Sequence, residues 1–145
     1  MIWVLIAIVV IGAVSWTLRR NHRVKRLQQA QSVALELLPE IRALMDSADP
    51  AGASGGEPAP ARHYETCQQR LPQVFANEDY FAVETFYQCV ESYRDARARA
   101  LAAFADGAEL SLGDRIRAKD RRDRCLKDVY YAGHAAVQKL ERILA

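Results

Sequence analysis

The first absence in this sequence is charge at its amino-terminal end. Residues 2–18 contain no Asp, Glu, Lys or Arg, and as a helix they would span about 26 Å. That length is close to the apolar thickness of a bilayer. Trp3 and Trp16 stand near the two ends of the stretch, where indole rings favour the headgroup layer. We therefore predict a transmembrane anchor over residues 1–18.

Basic residues are also absent before the apolar stretch, although they are dense directly after it. Five of them follow at once: Arg19, Arg20, Arg23, Lys25 and Arg26. A cleaved secretory signal normally opens with positive charge, so the pattern favours a retained anchor. Dense positive charge resists translocation, which predicts a single pass with the N-terminus outside and the following domain in the cytoplasm. These five side chains and the two tryptophans are the predicted contacts with membrane lipids.

Motifs of catalysis are missing as well. The sequence has no nucleophile–base pair and no paired carboxylates in a catalytic spacing. The glycine-rich segment 52–56 lacks the Lys-Ser/Thr ending of a phosphate-binding loop. We therefore predict that the protein is not an enzyme and that it holds no cofactor.

Cysteine is scarce, with Cys67, Cys89 and Cys125 far apart and no CxxC spacing. An odd number of cysteines is a poor disulfide framework and is typical of a reducing compartment. His63 and Cys67 stand four residues apart, as two ligands on one helical face would, but zinc requires two more. The pattern favours small buried thiols, and no metal site is predicted.

The formal net charge is only +2, and the five basic residues after the apolar stretch exceed it. The remainder is slightly acidic, which argues against nucleic acid as a partner. The run 114–128 has seven basic and four acidic residues, but the two signs alternate along it. Such interleaving is typical of a solvated helix face, with an acidic partner or anionic lipid as the alternative.

Neither glycine nor proline occurs in residues 17–38, so the first helix should continue into the basic flank and stalk, residues 19–45. Apolar residues recur there at steps of three and four. The predicted interaction face consists of Leu27, Ala34, Leu37, Ile41 and Leu44. This face can pack on the protein's own domain, or it can pair with a second copy as a coiled-coil homodimer.

Residues 46–61 are rich in Pro, Gly and Ala and are predicted to be a flexible linker. Residues 62–145 have almost none of the strict alternation of a strand, and they predict a short helix over 63–71 and two long helices as an antiparallel hairpin. Asn77 and Ser111 are the expected N-caps of the long helices. The predicted fold is all-α: a single transmembrane helix, an amphipathic stalk, a linker and a hairpin or three-helix domain.

Aromatic residues make up only 8% of the chain, and they concentrate near residues 80–93 at the spacing of a helix core. Phe81 and Tyr87 lie off the main stripe and are the expected exposed anchors for an unknown protein partner. The predicted function is a membrane-anchored interaction or scaffold module at the cytoplasmic surface. The alternative is an envelope structural protein with its domain outside the cytoplasm and a Cys67–Cys89 disulfide.

Overall fold

The structure is a computed structural model that describes residues 2–48, 58–105 and 110–145, with side chains from Ser15 onward. Within those ranges every regular element is an α-helix and no strand occurs, which confirms the predicted all-α class. In chain order the helices are α1 (Ile2–Ser47), α2 (Arg62–Cys67), α3 (Leu71–Val74), α4 (Asn77–Phe104) and α5 (Leu112–Leu144).

Helix α1 is one uninterrupted helix of 46 residues, and Pro39 lies inside it. Proline removes the N–H that would bond to the carbonyl of Leu35. Pro39 and Leu35 both lie on the exposed face of α1, where water can bond to that carbonyl instead. The helix therefore continues past Pro39 into the part of the chain that contacts the domain.

The core lies between the second half of α1 and the hairpin of α4 and α5. Ala34, Leu37, Ile41 and Leu44 are buried in one cluster with side chains from all four other helices, among them Leu71, Val83, Phe86, Val129 and Leu140. The stalk thus packs on its own domain, which was one of the two alternatives. In this packing the four side chains are not available for a coiled coil with a second copy.

Helix α1 approaches α5 closely at Gly133. A Cβ atom built there would lie 2.5 Å from the Sδ of Met45 and 3.1 Å from a ring carbon of Phe86. Glycine inside a helix costs about 1 kcal/mol relative to alanine. The missing side chain makes room for Met45 and Phe86, and so lets α1 settle into the hairpin.

The helix ends agree only partly with the expectations from the sequence. Ser111 caps α5 as expected, since its Oγ accepts the Asp114 N–H at 3.2 Å. Asn77 is instead the first residue of α4, and Ala76 precedes it without a side-chain cap. The short helix expected over 63–71 is two helices, because Pro72 lies in the first turn of a new helix, α3.

The structure describes only parts of the predicted linker and of the predicted anchor. Residues 49–57 of the expected linker lie outside the described residues, and residues 2–14 of the expected anchor are described as helical backbone without side chains. Over the part of the chain that the structure describes, no helix is long and apolar enough to cross a membrane. The transmembrane anchor is not supported by this finding and stays a prediction.

The burial of the stalk predicts a sharp contrast between two leucines on α1. Leu37 is fully buried and Leu35 is 62% exposed. Leu37→Ala should lower the free energy of unfolding by about 2–5 kcal/mol, because it leaves a cavity in the core. The same change at Leu35 should cost less than about 0.5 kcal/mol.

Denaturant unfolding of the full chain in detergent micelles, followed by circular dichroism, measures both values. Equal small losses would mean that the stalk is not part of the core.

Candidate functional site

Glu40 is the polar centre of the region where α1, α2 and α4 meet. Its carboxylate accepts the backbone N–H of His63 at 2.7 Å and that of Tyr64 at 3.2 Å. These N–H groups belong to the first turn of α2, where a helix leaves its donors without intrahelical partners. Ala61, the N-cap of α2, offers no side-chain acceptor. Glu40 therefore supplies the missing cap from another helix, and a carboxylate is favourable there because of the helix dipole.

Tyr87 completes this arrangement from α4. Its hydroxyl donates to Glu40 Oε1 at 2.7 Å, and its ring stacks on Tyr64 with the ring centroids 3.8 Å apart. Burial, together with the hydrogen bond to Glu40, raises the pKa of the Tyr87 phenol far above its ordinary value. We call Glu40, Tyr87 and the two N–H groups the Glu40 clasp.

The clasp corrects one expectation about the aromatic residues. Tyr87 was expected at an exposed partner face, but it is only 3% exposed. It lies beside the core stripe of α4 and faces α2 and Glu40 rather than solvent. Phe81, the other residue of that pair, is 60% exposed and stays available for contact.

All three donors of the clasp are committed to one half-buried carboxylate. Glu40 therefore joins α1 to α2 and α4. The arrangement is a structural joint, and the exposed surfaces of the molecule lie elsewhere.

The first such surface is at the end of the domain where its helices meet the start of the stalk. The Arg26 guanidinium donates to the carbonyls of Val74 and Phe75 at 3.4 and 3.2 Å. The Gln31 amide donates to the carbonyl of Ile143 at 3.4 Å. These bonds tie α1 to the last turns of α3 and α5, where carbonyls lack intrahelical partners.

A groove of about 580 Å³ opens between these tied helices. Three arginines line it, Arg23 and Arg26 from α1 and Arg142 from α5. Apolar residues form its wall, among them Leu27, Ala30, Val74, Phe75 and Ile143. We call this surface the basic groove. A surface that combines cations with apolar wall suits an anionic amphiphile.

Several residues predicted to lie at the membrane interface line a cavity that adjoins the basic groove. Trp16, Arg19, Arg20 and Arg23 line a second, smaller cavity of about 310 Å³, so Arg23 belongs to both. The Arg20 guanidinium lies 5.6 Å from the Trp16 ring centroid, a cation–π geometry. Lys25 is exposed and lines neither cavity, and the side chain of Trp3 lies outside the described residues.

Leu27 also differs from the rest of the predicted stalk face. It is 54% exposed and lines the basic groove, whereas Ala34, Leu37, Ile41 and Leu44 are buried in the core. Burial along α1 begins at Ala30, close to where Arg26 and Gln31 meet the ends of α3 and α5. The stalk before that point is exposed because the domain does not reach it.

The second surface is the far end of the hairpin. The described core cluster ends at Tyr93 on α4 and begins at Val129 on α5. Beyond it the buried residues of α4 are alanines, Ala96, Ala100 and Ala103. We call residues 96–104 and 112–124 the hairpin arm. The small side chains allow the two helices to pack closely, with little apolar volume between them.

The end of this arm carries large apolar side chains on its outside. We call the group the arm tip, and its exposed members are Leu101, Phe104, Leu110, Leu112 and Ile116. The charged run beside it is partly paired, since Arg117 contacts Asp114 and Arg122 contacts Asp123, both at 2.6 Å. Exposed apolar groups framed by paired charges are typical of a protein-binding surface.

The cysteines and histidines form no comparable site. All three cysteines are free, so the Cys67–Cys89 disulfide of the alternative function is not formed. Burial raises the pKa of the Cys67 thiol to about 11, which keeps it protonated and unreactive near neutral pH. Over the described residues no group of three His, Cys, Asp or Glu side chains is arranged to hold a metal ion.

Glu40, Arg142 and the five residues of the arm tip were missed from the sequence, in which the spacing of Leu101 and Phe104 placed them on the buried face of their helix. Glu40 had a signal, since an acidic residue three positions after Leu37 lies next to the buried stripe of α1. Arg142 had none, because its approach to Arg23 depends on how α5 returns to the start of the stalk. Arg26 was assigned to the membrane interface, and its bonds to Val74 and Phe75 add a second role.

No protein-family model matches the chain, and no curated protein or solved structure matches it either.

The clasp predicts a specific dependence of stability on pH. Because folding raises the pKa of Tyr87 above its unfolded value of about 10, the folded state keeps a proton that the unfolded state loses above that pH. The stabilisation from Tyr87 is therefore complete below pH 10 and falls as the pH rises further. Tyr87→Phe should cost about 1.5–3 kcal/mol at pH 8, because it removes a hydrogen bond to a carboxylate.

The difference in free energy of unfolding between wild type and Tyr87→Phe should shrink above pH 10. Denaturant unfolding of both proteins at pH 8 and at higher pH measures this difference. Both proteins retain Cys67, so the effect of its titration on stability is the same in both and cancels in the difference. A difference that stays constant with pH would contradict the buried phenol–carboxylate bond.

Proposed function

We propose that the protein is a single-pass, membrane-anchored helical module that binds a protein partner at the cytoplasmic surface of the membrane. The observation that carries the proposal is the continuity of α1, which runs from Ile2 to Ser47 without a break. Its first part contains no charged residue, and its last part supplies core side chains of the domain. One helix thus joins the proposed anchor to the folded domain.

The anchor is proposed from the amino-acid sequence. Residues 2–18 contain no charged residue, and Trp16 and Arg20 lie together at the end of that stretch. Indole rings and arginines are the side chains that favour the membrane interface. The five basic residues that follow support a cytoplasmic position for the domain, because positive charge is retained on that side.

The partner surface is proposed at the arm tip. Helices α4 and α5 have 28 and 33 residues, about 42 and 50 Å, and the core cluster occupies only the part of them nearest the stalk. Arg26 and Gln31 donate hydrogen bonds to the last turns of α3 and α5, and so hold those helix ends beside the start of the stalk. The arm therefore projects away from the proposed membrane and presents Phe104 and Leu112 at a distance from it.

The stalk is no longer needed as a dimer interface in this proposal. Four residues of its apolar face are buried within the same chain: Ala34, Leu37, Ile41 and Leu44. Val24 and Leu27, which precede the buried part, are exposed. The arm tip instead offers several exposed apolar side chains at one end of the hairpin, which is the composition of a binding hot spot.

The anchor predicts that the protein resists extraction and has one orientation. Val10→Arg should release the protein from membranes at alkaline pH, because a charge at the centre of the span costs about 2.5–3.5 kcal/mol. Val10→Leu is the matched control and should stay in the membrane fraction. A reporter enzyme that is active only outside the cytoplasm should stay silent when it is fused to the carboxyl end.

A strong reporter signal at that end would overturn the orientation. Wild-type protein that is fully released by the alkaline wash would overturn the anchor itself.

The arm tip predicts position-dependent crosslinking. A photoreactive phenylalanine analogue at position 104 should give a discrete protein adduct in intact membranes, whereas the same group at the exposed position 99 should not. Leu112→Glu should reduce the adduct from position 104, because it places a charge in the apolar contact. Leu35→Glu changes an exposed leucine away from the tip and should leave the adduct unchanged.

Both substitutions are on exposed sites and should alter the free energy of unfolding by less than about 0.5 kcal/mol. Adducts of equal yield from positions 99 and 104, or none from either, would count against the arm tip as the partner surface.

A further inference from the structure

The face of the hairpin that meets the stalk in the base of the domain continues along the arm. On α5 this face is marked by Gly133, where a side chain would collide with Met45 of α1. On α4 it is marked by Tyr87, whose hydroxyl donates to Glu40 of α1. Helix α1 ends at Ser47, just after Met45, so it covers the base of the hairpin and not the arm.

The spacing along each helix shows which arm residues lie on this face. Seven residues make about two turns, so positions seven apart point in nearly the same direction, and packed helices wind around each other to follow the remainder. On α5, Lys119 and Leu112 precede Gly133 by two and three steps of seven. On α4, Leu101 follows Tyr87 by two such steps. The leucines of the arm tip therefore continue the face that is covered in the base.

The cover over this face ends where the arm begins. Arg94, one step of seven after Tyr87, is still tied to the base, since its guanidinium donates to the carbonyl of Ala59 at 2.6 Å. Farther along the arm, Leu101 is 58% exposed and Leu112 is 73% exposed. The buried residues of α4 in the arm are alanines, so the arm buries little apolar area of its own. A helix laid on this face would bury the two leucines.

The charge of the arm selects the kind of helix that fits. Residues 96–124 contain eight basic and five acidic residues. Lys119 is exposed and makes no hydrogen bond or ion pair within the described part of the chain. Arg97 and Arg115 stand four residues before Leu101 and three after Leu112, which are adjacent positions on a helix surface. Cations beside an apolar stripe favour a partner whose own stripe is flanked by Asp or Glu.

The same charge argues against a second copy of the chain as the occupant. Asp123, four residues after Lys119, is already paired with Arg122 at 2.6 Å. Two arms would therefore bring like net charge together, which is unfavourable at an interface. Nucleic acid is also a poor fit, because a phosphate backbone would suit the cations but would leave the exposed leucines in water.

We propose that this face of the arm binds an acidic amphipathic helix of a protein partner. The helix lies along the arm and continues the cover that α1 and α2 provide in the base. Its apolar side chains contact Leu101 and Leu112, and its carboxylates pair with Lys119 and the neighbouring arginines. The inference rests on the proposed function, because it names the kind of partner that the arm tip takes. It differs from contact at the tip alone, since Lys119 lies about 10 Å along α5 from Leu112.

The experiment uses the full chain in nanodiscs of neutral lipid and two synthetic helical peptides with the same apolar stripe. The acidic probe carries Glu beside the stripe, and the basic probe carries Lys at the same positions. A photoreactive phenylalanine analogue at position 101 reports a probe on the proposed face. The same group at the exposed position 99 is the control, because it lies about 200° around α4 from position 101.

The expected result is a one-to-one adduct of the acidic probe at position 101, with little adduct at position 99 and little of the basic probe at either. Lys119→Glu should raise the acidic-probe concentration needed for half-maximal yield roughly fivefold, since about 1 kcal/mol for an exposed charge pair corresponds to that factor. Arg121→Glu reverses the same charge about 200° around α5 and should raise it less than about twofold. Both residues are exposed, so neither change should unfold the arm.

Equal yields from the two probes would exclude selection by charge, and equal effects of the two charge reversals would show a general attraction to the arm. Equal yields at positions 99 and 101, or no adduct of the acidic probe, would refute the helix site.

The adduct from position 104 in intact membranes separates this inference from the proposed function. Its absence would refute the partner surface itself, whatever the probes do. If it forms but disappears after nuclease treatment, the arm binds nucleic acid. If its mass is twice that of the chain, the occupant is a second copy. Either result would overturn the acidic helix.

Discussion

The packing of α1 against the α4–α5 hairpin is the interaction on which the rest of the structure depends. Ala34, Leu37, Ile41 and Leu44 share one buried cluster with side chains of α4 and α5, and Gly133 on α5 lets the stalk come close. An isolated two-helix hairpin of this size buries little apolar surface, so the third helix supplies much of the core. The proposed anchor and the domain are therefore parts of one folded unit.

The clasp, the groove and the arm follow from that packing. Glu40 reaches the first turn of α2 only because its neighbours Leu37 and Ile41 are buried. The basic groove exists because the same helix continues past the ends of α3 and α5. The hairpin arm, whose buried residues on α4 are alanines, lacks this third helix, so it should open more readily than the core. The three-helix core is therefore expected to be rigid, and the hairpin arm to be more adaptable.

The sequence was sufficient for features that depend on local pattern. The helical class, the continuation of α1 past residue 18, the burial of the 34–44 stripe and the Ser111 cap all follow from spacing or capping chemistry. Features that depend on distant contacts were not predictable. Tyr87 has the same aromatic character as an exposed anchor, and only the approach of Glu40 buries it. Arg142 reaches the groove through tertiary packing alone.

Hydrogen exchange of the backbone amides, measured on the full chain in nanodiscs, tests most directly whether stalk and domain form one unit. The account predicts that amides of residues 34–47 exchange as slowly as those of residues 83–93 and 129–140, because all of them open only when the shared core unfolds. Fast exchange across 34–47, with α4 and α5 still protected, would contradict it and would make the stalk a separate helix.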